Sequence, residues 1–395
     1  MKKIKYLVLL VALFLTSNVF AQGGTLDNDN IQGTILRQEI ENGARLISTG
    51  VPLLLISPDS RAWSMGDVGA ATIPDANANH WNAAKLPFAE KKMAFAFTYS
   101  PWLRDYVGDI DLAYLSGYYK INDVSAIGAS LTYFSLGSID FFDAQGVSTG
   151  TYNPNEFAID LSYSMKLAEN FAASVTGRYI RSDLTQGQSV AGNSTHAASA
   201  VSADVGLYYQ KDVLADKPQQ YAFGLQISNL GNKISYSDNL ESSFLPASLR
   251  LGGRYTYSMD QFNKISFMLD FNKLLVPTPP VRVDSTGEVF AGYDDNVGVL
   301  QGVFQSFYDA PDGFKEELQE INISAGAEYW YNNIIAARAG YFFESERKGN
   351  RQYFTLGLGL KYNTLGIDVS YLVPTAQHSN NPLKNTLRVS ISMEL

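Results

Sequence analysis

Three histidines (His80, His196 and His378) and no cysteine leave this chain little with which to do covalent or metal chemistry. The histidines are too scattered for a His-based metal site. Without thiols there is no thiolate ligand, cysteine nucleophile, disulfide or cysteine-linked lipid. Gly187-Gln188-Ser189-Val190-Ala191 approaches the G-x-S-x-G nucleophile turn but ends on alanine. Asp27-x-Asp29-x-x-x-Gly33 approaches a calcium loop, but its glycine comes one position late and position twelve is Gln38. An enzyme is therefore not expected, nor a metal or cofactor. What does recur is charge of both signs on one face of alternating segments: Asp111, Asp160, Arg178, Asp204, Arg250, Arg254, Asp270, Glu328, Arg338, Asp368 and Arg388. Charges held in a narrow interior must be paired or wet. Mutual pairing would fill that interior; a selective ion path is the alternative.

The elements that position these charges are strands. Phe157, Ile159, Leu161, Tyr163, Met165 and Leu167 alternate with Glu156, Ala158, Asp160, Ser162, Ser164 and Lys166. Successive strand side chains point to opposite faces, so each such segment has one apolar and one polar side. Fourteen segments read this way: 92–100, 109–121, 124–136, 155–168, 170–182, 197–211, 219–230, 246–258, 263–272, 320–332, 334–344, 350–362, 364–374 and 385–395. Many exceed the five or so residues of a soluble strand and suit a tilted membrane strand of about 9–11. Tight turns at Asn122-Asp123, Glu169, Asn332-Asn333 and Asn363 alternate with loops near 137–154, 183–196, 231–245, 273–319 and 375–384. Short periplasmic turns and long external loops mark an outer-membrane barrel, and this register puts both ends of the barrel in the periplasm. The fold expected is all-β: a 14-stranded antiparallel transmembrane β-barrel over 91–395, its first strand paired with its last. Aromatic doublets at strand ends (Tyr118-Tyr119, Tyr133-Phe134, Tyr208-Tyr209) are expected to form interfacial girdles.

Composition agrees. Charged residues are 17% of the chain, below the roughly 25% of soluble domains. The net charge of −9, with no basic run, argues against nucleic acid. Lys2, Lys3 and Lys5 precede the apolar run Tyr6 to Leu15, and Val19-Phe20-Ala21 suits signal cleavage after Ala21. Residues 1–21 are thus a signal peptide, and the expected location is the bacterial outer membrane, in contact with its lipid.

Residues 22–90 do not alternate and are expected to form an N-terminal extension and plug inside the barrel. Their motif residues are Arg61, Met65, Gly66, Asp67, Gly69, Trp81 and Asn82. Arg61-Ala62-x-x-Met65-Gly66, Pro74-Asp75-Ala76 and Trp81-Asn82-x-Ala84-Lys85-Leu86 resemble the opening signature of FadL-like barrels. The string from Thr49-Gly50-Val51-Pro52 to Leu86 more closely resembles the PorV family of type IX secretion proteins of Bacteroidetes. So do Asp270 to Pro280 and Phe304-Gln305-Ser306-Phe307-x-Asp309-Ala310-Pro311-x-Gly313-Phe314-x-Glu316-Glu317-Leu318. The pattern departs at Trp63, Ser64, Ala83 and Asp312.

That resemblance implies a carrier that receives cargo proteins with a C-terminal signal domain at the type IX translocon barrel. It presents them to a surface sortase (PorU-like). A FadL-like channel for hydrophobic small molecules is the alternative; it needs an apolar cluster in the lumen, and the inward residues named above show none. The candidate partner surface is the long external loop 273–319. It carries eight acidic residues (Asp284, Glu288, Asp294, Asp295, Asp309, Asp312, Glu316, Glu317) and exceeds the usual 12–15 residue ceiling for plain loops. Leu300, Val303, Phe304 and Phe307 recur at helical spacing, with a stem at Pro277, Pro279 and Pro280 and a further aromatic, Phe314. The stripe either covers its own barrel or meets a partner.

Overall fold

The computed structural model describes residues 36–40, 43–102, 108–142, 146, 148–187, 194–213, 218–238, 241–375 and 386–395. The signal segment, the calcium-like stretch at 27–33, His378 and most of the 187–191 motif lie outside these residues.

Among the described residues, fourteen long strands form one closed antiparallel barrel. In chain order the strands begin with β1 (Met93–Trp102), β2 (Ile110–Lys120), β3 (Ser125–Ser135) and a small external hairpin, β4 (Ile139–Phe142) with β5 (Ser148–Tyr152). The wall continues through β6 (Asn155–Ala168), β7 (Phe171–Asp183), β8 (Ala198–Val213), β9 (Gln219–Gly231), β10 (Ser248–Ser258) and β11 (Asn263–Leu274). A second external hairpin follows, β12 (Val281–Arg282) with β13 (Val289–Ala291). The wall is completed by β14 (Asn322–Tyr331), β15 (Ile335–Phe343), β16 (Gln352–Tyr362), β17 (Leu365–Pro374) and β18 (Leu387–Glu394), and β18 pairs with β1 to close the ring. Each of the fourteen alternating sequence segments is thus a wall strand.

The period sets the faces. On β1, Phe95, Phe97 and Tyr99 point outward, while Ala94, Ala96 and Thr98 are buried inside. Tight turns fall where asparagine stands: Asn332, Asn333 and Asn363 all adopt positive φ, the backbone that two-residue hairpins require and that asparagine tolerates best among side-chain-bearing residues.

Two expectations about faces are corrected by the same alternation. Tyr119, Tyr133 and Tyr209 do face outward, but Tyr118, Phe134 and Tyr208 are buried inside. Adjacent strand residues cannot share a face. Asp111 is not in the lumen. Ile110, Leu112 and Tyr114 hold the inward positions of β2, so Asp111 points outward at the loop-side rim, accepting a hydrogen bond from the Tyr99 hydroxyl (2.7 Å).

The chain ahead of β1 passes along the interior. At the long-loop end Arg45 contacts Glu316, and the Gly50 amide donates to the Phe244 carbonyl (2.8 Å). A 3-10 turn at Pro52–Leu55 follows, then helix α1 (Ser60–Trp63) against β16, β17 and β18, and helix α2 (Ala78–Trp81) against β2 and β3. A second 3-10 stretch, Ala83–Phe88, packs on β3, β6 and β7. At the short-turn end the Ala89 carbonyl accepts from Lys120 Nζ (2.9 Å).

This passage creates the apolar cluster that the inward face was expected to lack. Val51 and Leu53 pack with Ile110, Leu112, Phe134, Ile180, Ile234 and Leu245 near the loop end. The inward positions nearest the loop end are apolar on several strands, Ile110 and Leu112 at the start of β2 and Phe134 and Ile180 at the ends of β3 and β7.

Candidate functional site

Two regions gather the candidate residues. The first is the lumen. Asp59 caps α1, its Oδ1 accepting from the Ala62 amide (2.8 Å), while its Oδ2 accepts from Trp81 Nε1 (2.6 Å). One carboxylate thereby joins both inner helices. Arg61 donates two parallel hydrogen bonds to Glu328 (2.9 Å each) and another to Asp75 (2.7 Å). Glu328 also accepts from Arg338 Nε (2.8 Å), and Arg338 reaches Asp368 (2.6 Å). Across the barrel, Arg178 pairs with Asp160 (2.6 Å) and Asp204 (3.1 Å). Asp270 accepts from the Gly69 and Ala70 amides (2.7 and 2.9 Å). Apart from the half-buried Asp75 and Asp368 these groups are buried, so desolvation is offset by paired, hydrogen-bonded geometry.

The remaining motif residues meet the wall. Gly66 has φ +71°, and a Cβ there would lie 2.6 Å from the Tyr341 carbonyl, so only glycine fits. Met65 is buried with Val68 and Met268. Asp67 accepts from the Tyr353 hydroxyl (2.7 Å), and Asn82 donates to the Leu207 carbonyl (2.9 Å). Of the histidines, His80 is packed against the rings of Trp81 and Tyr114, and His196 lies beside Asp238. Among the described residues no cluster of three or more His, Cys, Asp or Glu could hold a metal ion.

The second region is the external segment between β11 and β14. It folds a helix α3 (Val299–Gln305) and a helix α4 (Phe314–Gln319). The stripe thus lies on and just after a short helix, but the helix is turned inside out. Gly302 and Gln305 are buried, whereas Leu300 is 73% exposed, Phe304 69% and Phe307 48%. Val303 is half-buried. On α4, Glu316 and Glu317 are buried while Phe314 is 77% exposed and Leu318 52%.

Buried ion pairs hold α4 in this arrangement, while Gly302 seats α3 on Phe244 and Pro277. Glu316 binds Arg45 (2.7 Å) and Lys348 (2.8 Å). Glu317 binds Lys273 (3.0 Å). Glu320 binds Lys348 (2.7 Å), Lys273 and the Thr278 hydroxyl (2.5 Å). Burial alone would raise the Glu316 carboxyl, but hydrogen bonds from Arg45 and Lys348 outweigh it and hold it down at about 2. Asp309 goes the other way. Burial pushes its carboxyl up to about 7, against the Thr278 amide and Lys273 and with the help of Glu317 and Glu320.

Three readings of this loop are corrected. Asp309, Glu316 and Glu317 are buried rather than part of an acidic surface. Pro277 is buried and abuts Gly302, so it supports α3; Pro279 and Pro280 are half-buried. The stripe does not cover its own barrel. Sequence reasoning also missed the cations Arg45, Lys273 and Lys348 as clamps. The one available signal was the i, i+4 pair Phe314 and Leu318 opposite Glu316, Glu317 and Glu320.

Residues 38–281, more than half the chain, match the family of the type IX secretion system protein PorV. The chain belongs to the PorV family. It is an outer-membrane component of type IX secretion, built as a closed β-barrel. The family match ends at 281, so most of the inside-out loop lies beyond it. No curated protein matches the chain. Similar solved structures include the CymD monoaromatic hydrocarbon channel, at 13% identity and TM-score 0.48, covering 88% of this chain and 99% of that one. The Pseudomonas putida toluene transporter TodX is 13% identical at TM-score 0.44, covering 84% and 96%. A Pseudomonas aeruginosa FadL homologue is 11% identical at TM-score 0.42, covering 89% and 99%.

Proposed function

We propose that this PorV-family barrel is the cargo adaptor of its secretion system. It takes cargo bearing a C-terminal signal domain from the translocon barrel and presents it to a PorU-like surface sortase. It reaches the outer membrane by way of a signal peptide cleaved after Ala21. The observation that carries this reading is the inside-out loop, on which Leu300, Phe304, Phe314 and Leu318 face away from the barrel while Glu316, Glu317 and Glu320 are clamped beneath. Burying a fully exposed Leu or Phe is worth roughly 1.5–3 kcal/mol, so the face gains most when a partner covers it. The interior segment acts as a plug in this reading: its packing against wall charges counts against a FadL-like route for hydrophobic small molecules.

The test is Phe304→Ser with Phe307→Ser in the native host. The double variant is expected to insert and fold normally, to lose most translocon co-purification, and to deliver less cargo to the surface. Normal cargo delivery with normal co-purification overturns the reading.

A further inference from the structure

The exposed apolar face has an acidic border. Asp284 and Glu288 are exposed on the β12–β13 hairpin, beside the exposed Val289 and Phe290. Asp294 and Asp295 follow Tyr293, whose ring meets Tyr308 edge-on at 5.4 Å and so ties the hairpin side to the end of α3. Glu241 adds a carboxylate from the neighbouring loop, accepting from Asn296 (3.3 Å).

Cations balance this border only in part: Lys233, on the same loop as Glu241, lies over the Phe244 ring, 4.1 Å from its centroid. Arg282 is committed to Asp294 (2.9 Å) and Asp295 (2.7 Å). Lys315 is the other basic residue of the segment 275–313 and its continuation into α4 that reaches solvent. The cations Arg45, Lys273 and Lys348 are consumed underneath, on Glu316, Glu317 and Glu320. What an approaching surface meets is therefore aromatic and aliphatic area edged by carboxylates in excess of cations.

We propose that this face docks a protein surface that is apolar at its centre and cationic at its rim. The inference rests on the docking reading above and adds the partner's charge. An anionic membrane surface would bring phosphates against Asp284, Glu288 and Glu241, and like charges at close range are repelled. A cationic rim is attracted, and rim charges act chiefly on association rate and on discrimination against wrong partners. That attraction is confined to about 8 Å at physiological ionic strength, so it demands cations at the edge of the contact and not merely a basic protein.

The experiment uses the full-length protein in lipid nanodiscs and two synthetic peptides. Both share a leucine- and tryptophan-rich face; one is flanked by lysines, the other by glutamates. The lysine-flanked peptide is expected to bind about tenfold tighter at low salt, with the advantage disappearing in high salt. Asp284→Lys with Glu288→Lys should reverse the preference, and Phe304→Ser with Phe314→Ser should weaken both peptides. Equal binding of the two peptides overturns the charge inference and leaves the docking face standing. Unchanged binding to the serine variant overturns the docking reading itself. Tighter binding to vesicles containing phosphatidylglycerol than to pure phosphatidylcholine vesicles, lost in the serine variant, assigns the face to the membrane and overturns the proposal.

Discussion

Inside the barrel, Glu328 is buried between Arg61 and Arg338, and Leu53 and Met65 are buried in the same interior; on the external loop, Glu316 is buried between Arg45 and Lys348 while Leu300, Phe304 and Phe314 face solvent. Both regions neutralise buried carboxylates with paired cations. They differ in where the apolar side chains go. In the lumen, ion pairs and apolar packing fill one volume together. On the loop, Leu275, Val276, Val281 and Ala310 are buried beside the ion pairs, but the apolar side chains of α4, and Leu300 and Phe304 of α3, are left free. A buried ion pair contributes little net stability, but breaking it leaves a stranded charge. It is thus suited to fixing the orientation of a short helix such as α4.

The comparison first requires that the chain run from the loop end to the turn end, and that test is all-or-none. A peptide tag between Gly43 and Ala44 should be labelled on intact cells, while one at Asn122-Asp123 should not. Labelling of the second tag alone would reverse the topology. Next in size is Glu328→Gln, which removes the carboxylate shared by Arg61 and Arg338, leaves each with one partner (Asp75 and Asp368) and should destabilise the barrel by about 3 kcal/mol, read as a lower temperature for the loss of the folded gel form. Leu53→Ala leaves a cavity in the cluster at the loop end and should cost about 2–5 kcal/mol by denaturant unfolding in lipid. Should it cost nothing, the 51–55 turn does not hold the interior.

The loop has a distinct pH signature. Glu316 is held at about 2 against an ordinary 4.5, so its contribution is full above pH 4.5 and is lost as pH falls toward 2. Asp309 is raised to about 7 from an ordinary 3.8, so its contribution is full below 3.8 and is lost as pH rises through 7. Hydrogen exchange in 309–320, corrected for intrinsic rate, should therefore be slowest near about pH 4, where the two windows meet, and several-fold faster at both about pH 7 and about pH 2.5. Asp309→Asn should remove the alkaline rise and keep the acid one. The smallest effect belongs to Phe304→Ser with Phe307→Ser, which should change barrel stability by no more than about 0.5 kcal/mol per site. A loss of several kcal/mol would mean that these rings are covered by their own barrel.

The alternating period alone located all fourteen wall strands, their closure and the short-turn end, because strand faces are fixed by a two-residue repeat within each segment. Stripe spacing likewise located α3. The sequence could not say which way α3 and α4 turn, or that Glu316 meets Arg45 across 271 residues. A strand's faces follow from neighbours one and two residues away. A short helix's buried face is decided by whatever packs beneath it. Beneath α4 that is a set of cations brought together from the extension, the end of β11 and the β15–β16 loop, and beneath α3 it is Phe244 and Pro277; only closure of the barrel assembles them.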